Sequence, residues 1–151
     1  MVQNRTETAQ NGKVEAQQNS KAQSKVDEYF ASQKFFNEGD DIKAKRAFFM
    51  LGQYCRKVSE IEEKQIAESG EESKFQKRLA REISNNMTYR AFTLIMKLLD
   101  SAALKCNPTL FYKCSGACKE LMINSDLVSN KKALSVEDGN MAFSLGMYQK
   151  F

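Results

Sequence analysis

Phe49-Met50-Leu51-Gly52-Gln53-Tyr54 stands at the centre of a stretch, Asp40 to Ile66, that holds no proline and whose apolar residues recur with a helical period. The same pattern, Phe-x-Leu-Gly-x-Tyr, returns near the other end of the chain as Phe143-Ser144-Leu145-Gly146-Met147-Tyr148. Glycine in a helix interior costs roughly 1 kcal/mol relative to alanine, and close approach of another backbone or a large side chain is the usual compensation. The repeat therefore predicts two helices that meet, with Gly52 admitting the terminal helix around Gly146.

Placed at 100° intervals, Phe48, Leu51, Cys55, Val58 and Ile66 form one side of the first of these helices. Arg46, Gln53, Lys57 and Lys64 fall nearly opposite, with Lys43 on the flank. Lys45 and Arg56 lie near the apolar border, from which their long stems can carry the charge outward. Asp40 is placed to cap the helix, with Asp41 in the first turn near the positive end of the dipole. The cationic row has two readings, a solvated face of an ordinary amphipathic helix or a surface for a polyanion.

Downstream, Glu68-Ser69-Gly70-Glu71-Glu72 reads as a turn, and Lys74 to Ile83 as a helix with Phe75, Leu79 and Ile83 inward. Its other side carries Lys74, Lys77, Arg78 and Arg81. Helices joined by a short turn usually pack antiparallel, so the two basic rows are expected side by side. Such a surface would hold a phosphate backbone without reading bases. Thr88 to about Cys106 is the most apolar segment and reads as the central helix of a bundle. Asn107-Pro108 then supplies an N-cap and a first-turn proline for a helix reaching roughly Ser125. Ser125 to Leu134 reads as a polar connection, and Ser135 as the cap of a last helix with an acidic residue three positions later.

Upstream, Val26, Tyr29, Phe30 and Phe36 suit a short helix ending at Gly39. Residues 1–25, rich in Gln and poor in large apolar groups, read as a flexible polar leader. The fold class expected is all-α: a single bundle of five to six helices over 26–151.

Composition narrows function by exclusion. A chain of 151 residues is most economically one domain. It has no apolar run of the roughly 20 residues that span a bilayer and no apolar signal segment after Met1, so a cytosolic protein without membrane contact is expected. A net charge of +4 does not by itself announce a nucleic-acid binder. With no histidine in the chain, the commonest general acid/base and metal ligand is missing. Cys114 and Cys118 could present two thiolates, with Cys55 and Cys106 as remote additions. They continue an apolar stripe instead, so they read as core residues rather than metal ligands. Nothing has the form of a P-loop, a dinucleotide fingerprint or a hydrolase elbow. No catalysis, cofactor, metal or small-molecule substrate is expected.

The helix start Ala47 to Tyr54, continued by Lys57-Val58 and Gln65, resembles the C-terminal helical domain of the large subunit in type I-B CRISPR surveillance complexes. The ending Leu134-Ser135-Val136-Glu137-Asp138, followed by Ala142 to Tyr148, is similar to the close of the same proteins. In several type I systems this domain is also made as a separate small subunit from an internal start codon, and a polar leader followed by a bundle resembles such a product. The resemblance implies a non-catalytic subunit of the Cascade complex. Its partners would be the backbone and large subunits, neighbouring copies of itself, and the R-loop that crRNA forms on target DNA. In the family, small subunits support the R-loop by holding the displaced non-target strand and the path of the target strand. Lys43, Arg46, Lys57, Lys64, Lys74, Lys77, Arg78 and Arg81 are the candidate DNA-backbone contacts by helical geometry. The alternative is a helical protein-interaction adaptor with no nucleic-acid role.

Overall fold

The computed structural model describes residues 25–70 and 74–151. The leader expected over 1–25, apart from Lys25, lies outside them, as do Glu71 and Glu72 of the expected turn and the side chain of Ile66. Every regular element among the described residues is helical, and the chain folds as an all-α protein. It divides into two compact units, one ending at Glu38 and rejoined by Lys150 and Phe151, the other running from Gly39 to Gln149.

The described part of the smaller unit holds α1, over residues 25–32, and a 3-10 turn, Lys34–Phe36. The helix expected to reach Gly39 therefore ends at Ser32. Side chains take its last carbonyls: Asn37 Nδ2 donates to Phe30 O at 2.6 Å and Gln33 O at 2.9 Å, and Ser32 Oγ donates to Tyr29 O. These bonds satisfy groups that would otherwise continue the helix. Phe30 and Phe36 meet at 4.9 Å between ring centroids, and Tyr29 packs edge-on against Phe151.

The larger unit is organised by α2, Ile42–Ser69, which packs against the helices α4 (Tyr89–Cys106), α5 (Pro108–Ile123), α6 (Asp126–Ser129) and α7 (Val136–Tyr148). The hub is thus α2; α4, expected to be central, packs against α2, α5 and α3 (Lys74–Ile83). Phe48, Phe49, Leu51, Tyr54 and Cys55 are completely buried, with Phe48 edge-on to Phe92 of α4. Gly70, at φ +75°, ends α2 in the left-handed conformation that terminates many helices.

Gly52 and Gly146 pack against each other, as the repeated motif predicts. A Cβ on Gly52 would collide with Phe143 O and stand 2.9 Å from Met147 N. A Cβ on Gly146 would collide with Phe49 O and stand 3.1 Å from Gly52 Cα. The obstacles are backbone atoms on both sides, so the α2–α7 crossing is closer than any side chain permits.

The cap of α2 is Asp41, not Asp40. Asp41 adopts φ +52°, a region Asp tolerates better than most residues. From there its Oδ1 accepts from Ala44 N at 3.2 Å. The same carboxylate accepts from Asp126 N at 3.1 Å and Leu127 N at 2.7 Å. One side chain thus serves the starts of α2 and α6, and this second attachment selects Asp41 over its neighbour. It also orders a helical turn inside the segment expected to be only a polar connection. The caps expected at Asn107 and Ser135 form, Asn107 accepting from Leu110 N ahead of Pro108 and Ser135 from Asp138 N, and Thr88 caps α4 by accepting from Ala91 N.

α3 packs on α4 rather than on α2, so the expected antiparallel pairing of α2 and α3 is not formed. The turn between α3 and α4 is fixed by α7: Asn140 Oδ1 accepts from Met87 N at 2.8 Å, and a Cβ on Gly139 would stand 2.7 Å from Met87 O.

Candidate nucleic-acid interface

On α3, only Leu79 is buried, while Lys74, Lys77, Arg78 and Arg81 are all exposed. Their spacing spreads the four charges along about 10 Å of helix. Among the described residues none of the four is in an ion pair. By contrast, Lys34, Arg56 and Lys119 each stand against a carboxylate. Among the described residues, then, the charge of α3 has no internal counter-ion.

The row on α2 does not survive as one surface. Lys43, Lys57 and Lys64 are exposed, Arg46 is half-buried, and Gln53 is buried. α7 lies over the middle of the row, and Gln53 Nε2 donates to Gly146 O and to Gln149 O. Arg56, expected to reach outward, places Nη1 3.4 Å from Met147 O and pairs through Nε with Glu60 at 3.0 Å. Lys45 is buried too, its Nζ 3.1 Å from the position a Cβ on Gly39 would take. The missed signal was Gly52 itself: a helix admitted at residue 52 must cover residue 53.

Lys57 looks toward α5. Burial pushes the Cys114 and Cys118 thiols up, countered in part by Lys57 and Lys113 at Cys114 and by Lys57 and Lys119 at Cys118. Burial likewise pushes the Cys55 thiol up to about 12, with a hydrogen bond from Ser59 opposing it. All three are therefore neutral thiols of the core near neutral pH, the protonation state least suited to metal ligation or nucleophilic attack. Among the described residues no cluster of three His, Cys, Asp or Glu could hold a metal ion.

Lys97, Lys113 and Lys119 were not singled out in the sequence, because a helical wheel treats each helix alone. Lys97 and Lys119 border a groove of about 300 Å³ between α4 and α5, floored by Phe92, Met96 and Met122. Tyr89 and Ile123 flank one end, 44% and 61% exposed. At the other end Asp100 accepts from the Tyr54 hydroxyl and from Lys119 Nζ, each at 2.9 Å. Burial, then the bond to Asp100, raises the Tyr54 hydroxyl pKa well above its ordinary value.

Among the described residues no helix is long and apolar enough to cross a membrane. No family model, curated protein or solved structure matches the chain.

Proposed function

We propose that this protein is a non-catalytic small subunit of a CRISPR RNA-guided surveillance complex, supporting the R-loop through sequence-independent contacts to the DNA backbone. The observation that carries the reading is the cation stripe of α3, where Lys74, Lys77, Arg78 and Arg81 stand exposed with no carboxylate partner among the described residues. Lys43, Lys57 and Lys64 supply further exposed charge from α2, and Arg46 contributes from a half-buried position.

The physical task is modest. Guide pairing reads the sequence, and strand exchange between DNA duplex and RNA–DNA heteroduplex is nearly balanced, so a few phosphate contacts tip it toward the open state. A net charge of +4 gives weak binding alone, made useful by the effective concentration of an assembly. The complex would be cytoplasmic, and the contacts would fall on the displaced strand, the target strand or both.

The deciding experiment reconstitutes the cognate crRNA complex with and without the chain and measures R-loop formation on target DNA. Loss of open product on omission supports the reading, and unchanged target opening overturns it. In the same assay a variant with Lys74, Lys77, Arg78 and Arg81 all replaced by Ala lowers R-loop yield. A protein-interaction adaptor is the result if the chain enters a complex whose formation is insensitive to salt and to nuclease.

A further inference from the structure

We propose that the groove between α4 and α5 is a seat for one unpaired nucleobase of a single strand, with Tyr89 as the stacking surface and Lys97 as the contact for a nearby phosphate. This inference rests on the nucleic-acid reading above but uses a different face of the molecule. The floor of Phe92, Met96 and Met122 is apolar, and Tyr89 stands half-exposed at the mouth opposite Ile123. A volume of about 300 Å³ lies at the small end of ligand sites. It accommodates one planar group.

Charge identifies the class of that group. Asp100 is offset by Lys119 and also accepts from Tyr54, so the carboxylate is internally satisfied. Lys97 is exposed and has no ion pair among the described residues, which leaves the groove with a surplus cation. Lys97 follows Tyr89 by eight positions on one helix, about 12 Å along its axis. A planar apolar group joined to an anion at that separation describes a nucleotide and its neighbour in a single strand. Aromatic platforms beside tracking cations are how sequence-tolerant single-strand binders work.

The test measures fluorescence anisotropy of the full chain with labelled oligothymidylate and with an abasic oligonucleotide of the same length, which keeps the phosphates and removes the bases. Wild type is expected to bind the base-bearing strand roughly tenfold more tightly. Tyr89→Ala and Ile123→Ser each remove most of that preference while retaining affinity for the abasic strand, and Tyr89→Phe retains the preference. Ultraviolet cross-linking of a bromodeoxyuridine strand then maps to the peptide containing Tyr89. Replacing all four α3 cations weakens both strands equally; if that variant is silent while the base preference persists, the α3 reading fails and the groove stands. Equal affinity of wild type for the two strands, no binding to either, or a preference unmoved by Tyr89→Ala overturns the groove. If Ile123→Ser dissociates a dimer and leaves strand binding unchanged, the face belongs to a second copy of the chain, and the proposal is likewise overturned.

Discussion

α2 and α3 carry similar basic stripes in the sequence, and the fold treats them in opposite ways. On α2 the glycine at position 52 admits α7 to backbone contact, and the middle of the polar row is taken into the interface, with Gln53 bonded to Gly146 and Gln149 while Lys43, Lys57 and Lys64 stay exposed on either side. On α3 no described residue covers the outer face, a single leucine is buried, and four cations stand exposed. The lesson is that a charged helical face stays available only if no neighbour can approach it closely. A glycine next to the row is the sign that one can. The two regions should therefore respond to substitution in opposite senses, one through stability and the other through binding.

The sharpest way to break this contrast is to add a methyl group at the crossing. Gly52→Ala and Gly146→Ala each place a Cβ against backbone atoms that no rotamer change can move. Overpacking commonly costs 1–3 kcal/mol, and a backbone obstacle belongs at or above the top of that range, so each variant should lose about 3 kcal/mol or more in urea denaturation. A loss below about 0.5 kcal/mol at either site would mean that the helices separate without penalty. Asp41→Ala comes next: it leaves backbone donors of two helices without their acceptor and should cost about 2 kcal/mol. Asp41→Asn, which keeps acceptor capacity and tolerates the positive φ, should recover part of the loss.

Those two sites also mark how far the sequence could be read. The all-α class and the caps at Asn107 and Ser135 were legible because their chemistry is local, the caps acting over three residues. The Gly52–Gly146 contact was legible because one motif occurs twice. The choice of Asp41 over Asp40 was not, since it depends on amides at Asp126 and Leu127 that no local pattern connects to it. The end of α1 was hidden for a related reason: Asn37 folds back onto carbonyls seven and four residues earlier. Of the candidate site, the α3 stripe could be read because the helix is covered on one side only. The α2 row was misjudged because a helical wheel does not say which neighbour arrives. The cations bordering the α4–α5 groove belong to separate helices and come together only in the fold.

A smaller effect tests the buried half of the comparison through pH. Burial pushes the Cys55 thiol up to about 12, well above the ordinary thiol range, and raises Cys114 and Cys118 in the same direction. The folded state therefore keeps protons that the unfolded chain releases above about pH 9. The stabilisation is fully present below that pH and is lost as pH rises through the folded values. Between pH 9 and 10 the Cys55 thiol should contribute a fall of roughly 1 kcal/mol in unfolding free energy. Cys55→Ala should flatten that slope in denaturation curves measured at both pH values. If the slope is unchanged, Cys55 is not held as a buried neutral thiol.

The smallest stability changes are expected where the surface is open, and they separate the two helices most cleanly. A Cβ at Gly116, in the middle of α5, would meet nothing within 4 Å. Gly116→Ala should therefore raise stability by about 1 kcal/mol, opposite in sign to the same change at Gly52. Replacing Lys74, Lys77, Arg78 and Arg81 together by Ala should shift stability by no more than about 0.5 kcal/mol, because the four side chains make no ion pair among the described residues. Single-strand binding by that variant should lose salt dependence, its logarithmic slope falling by about 0.7 for each phosphate contact removed. A variant that keeps the wild-type melting temperature but loses the salt slope assigns α3 to binding. One that keeps both would leave the stripe a solvated face, and an unbroken exposed cation row would then be no better a guide to function than the row of α2 that α7 interrupts at Gln53.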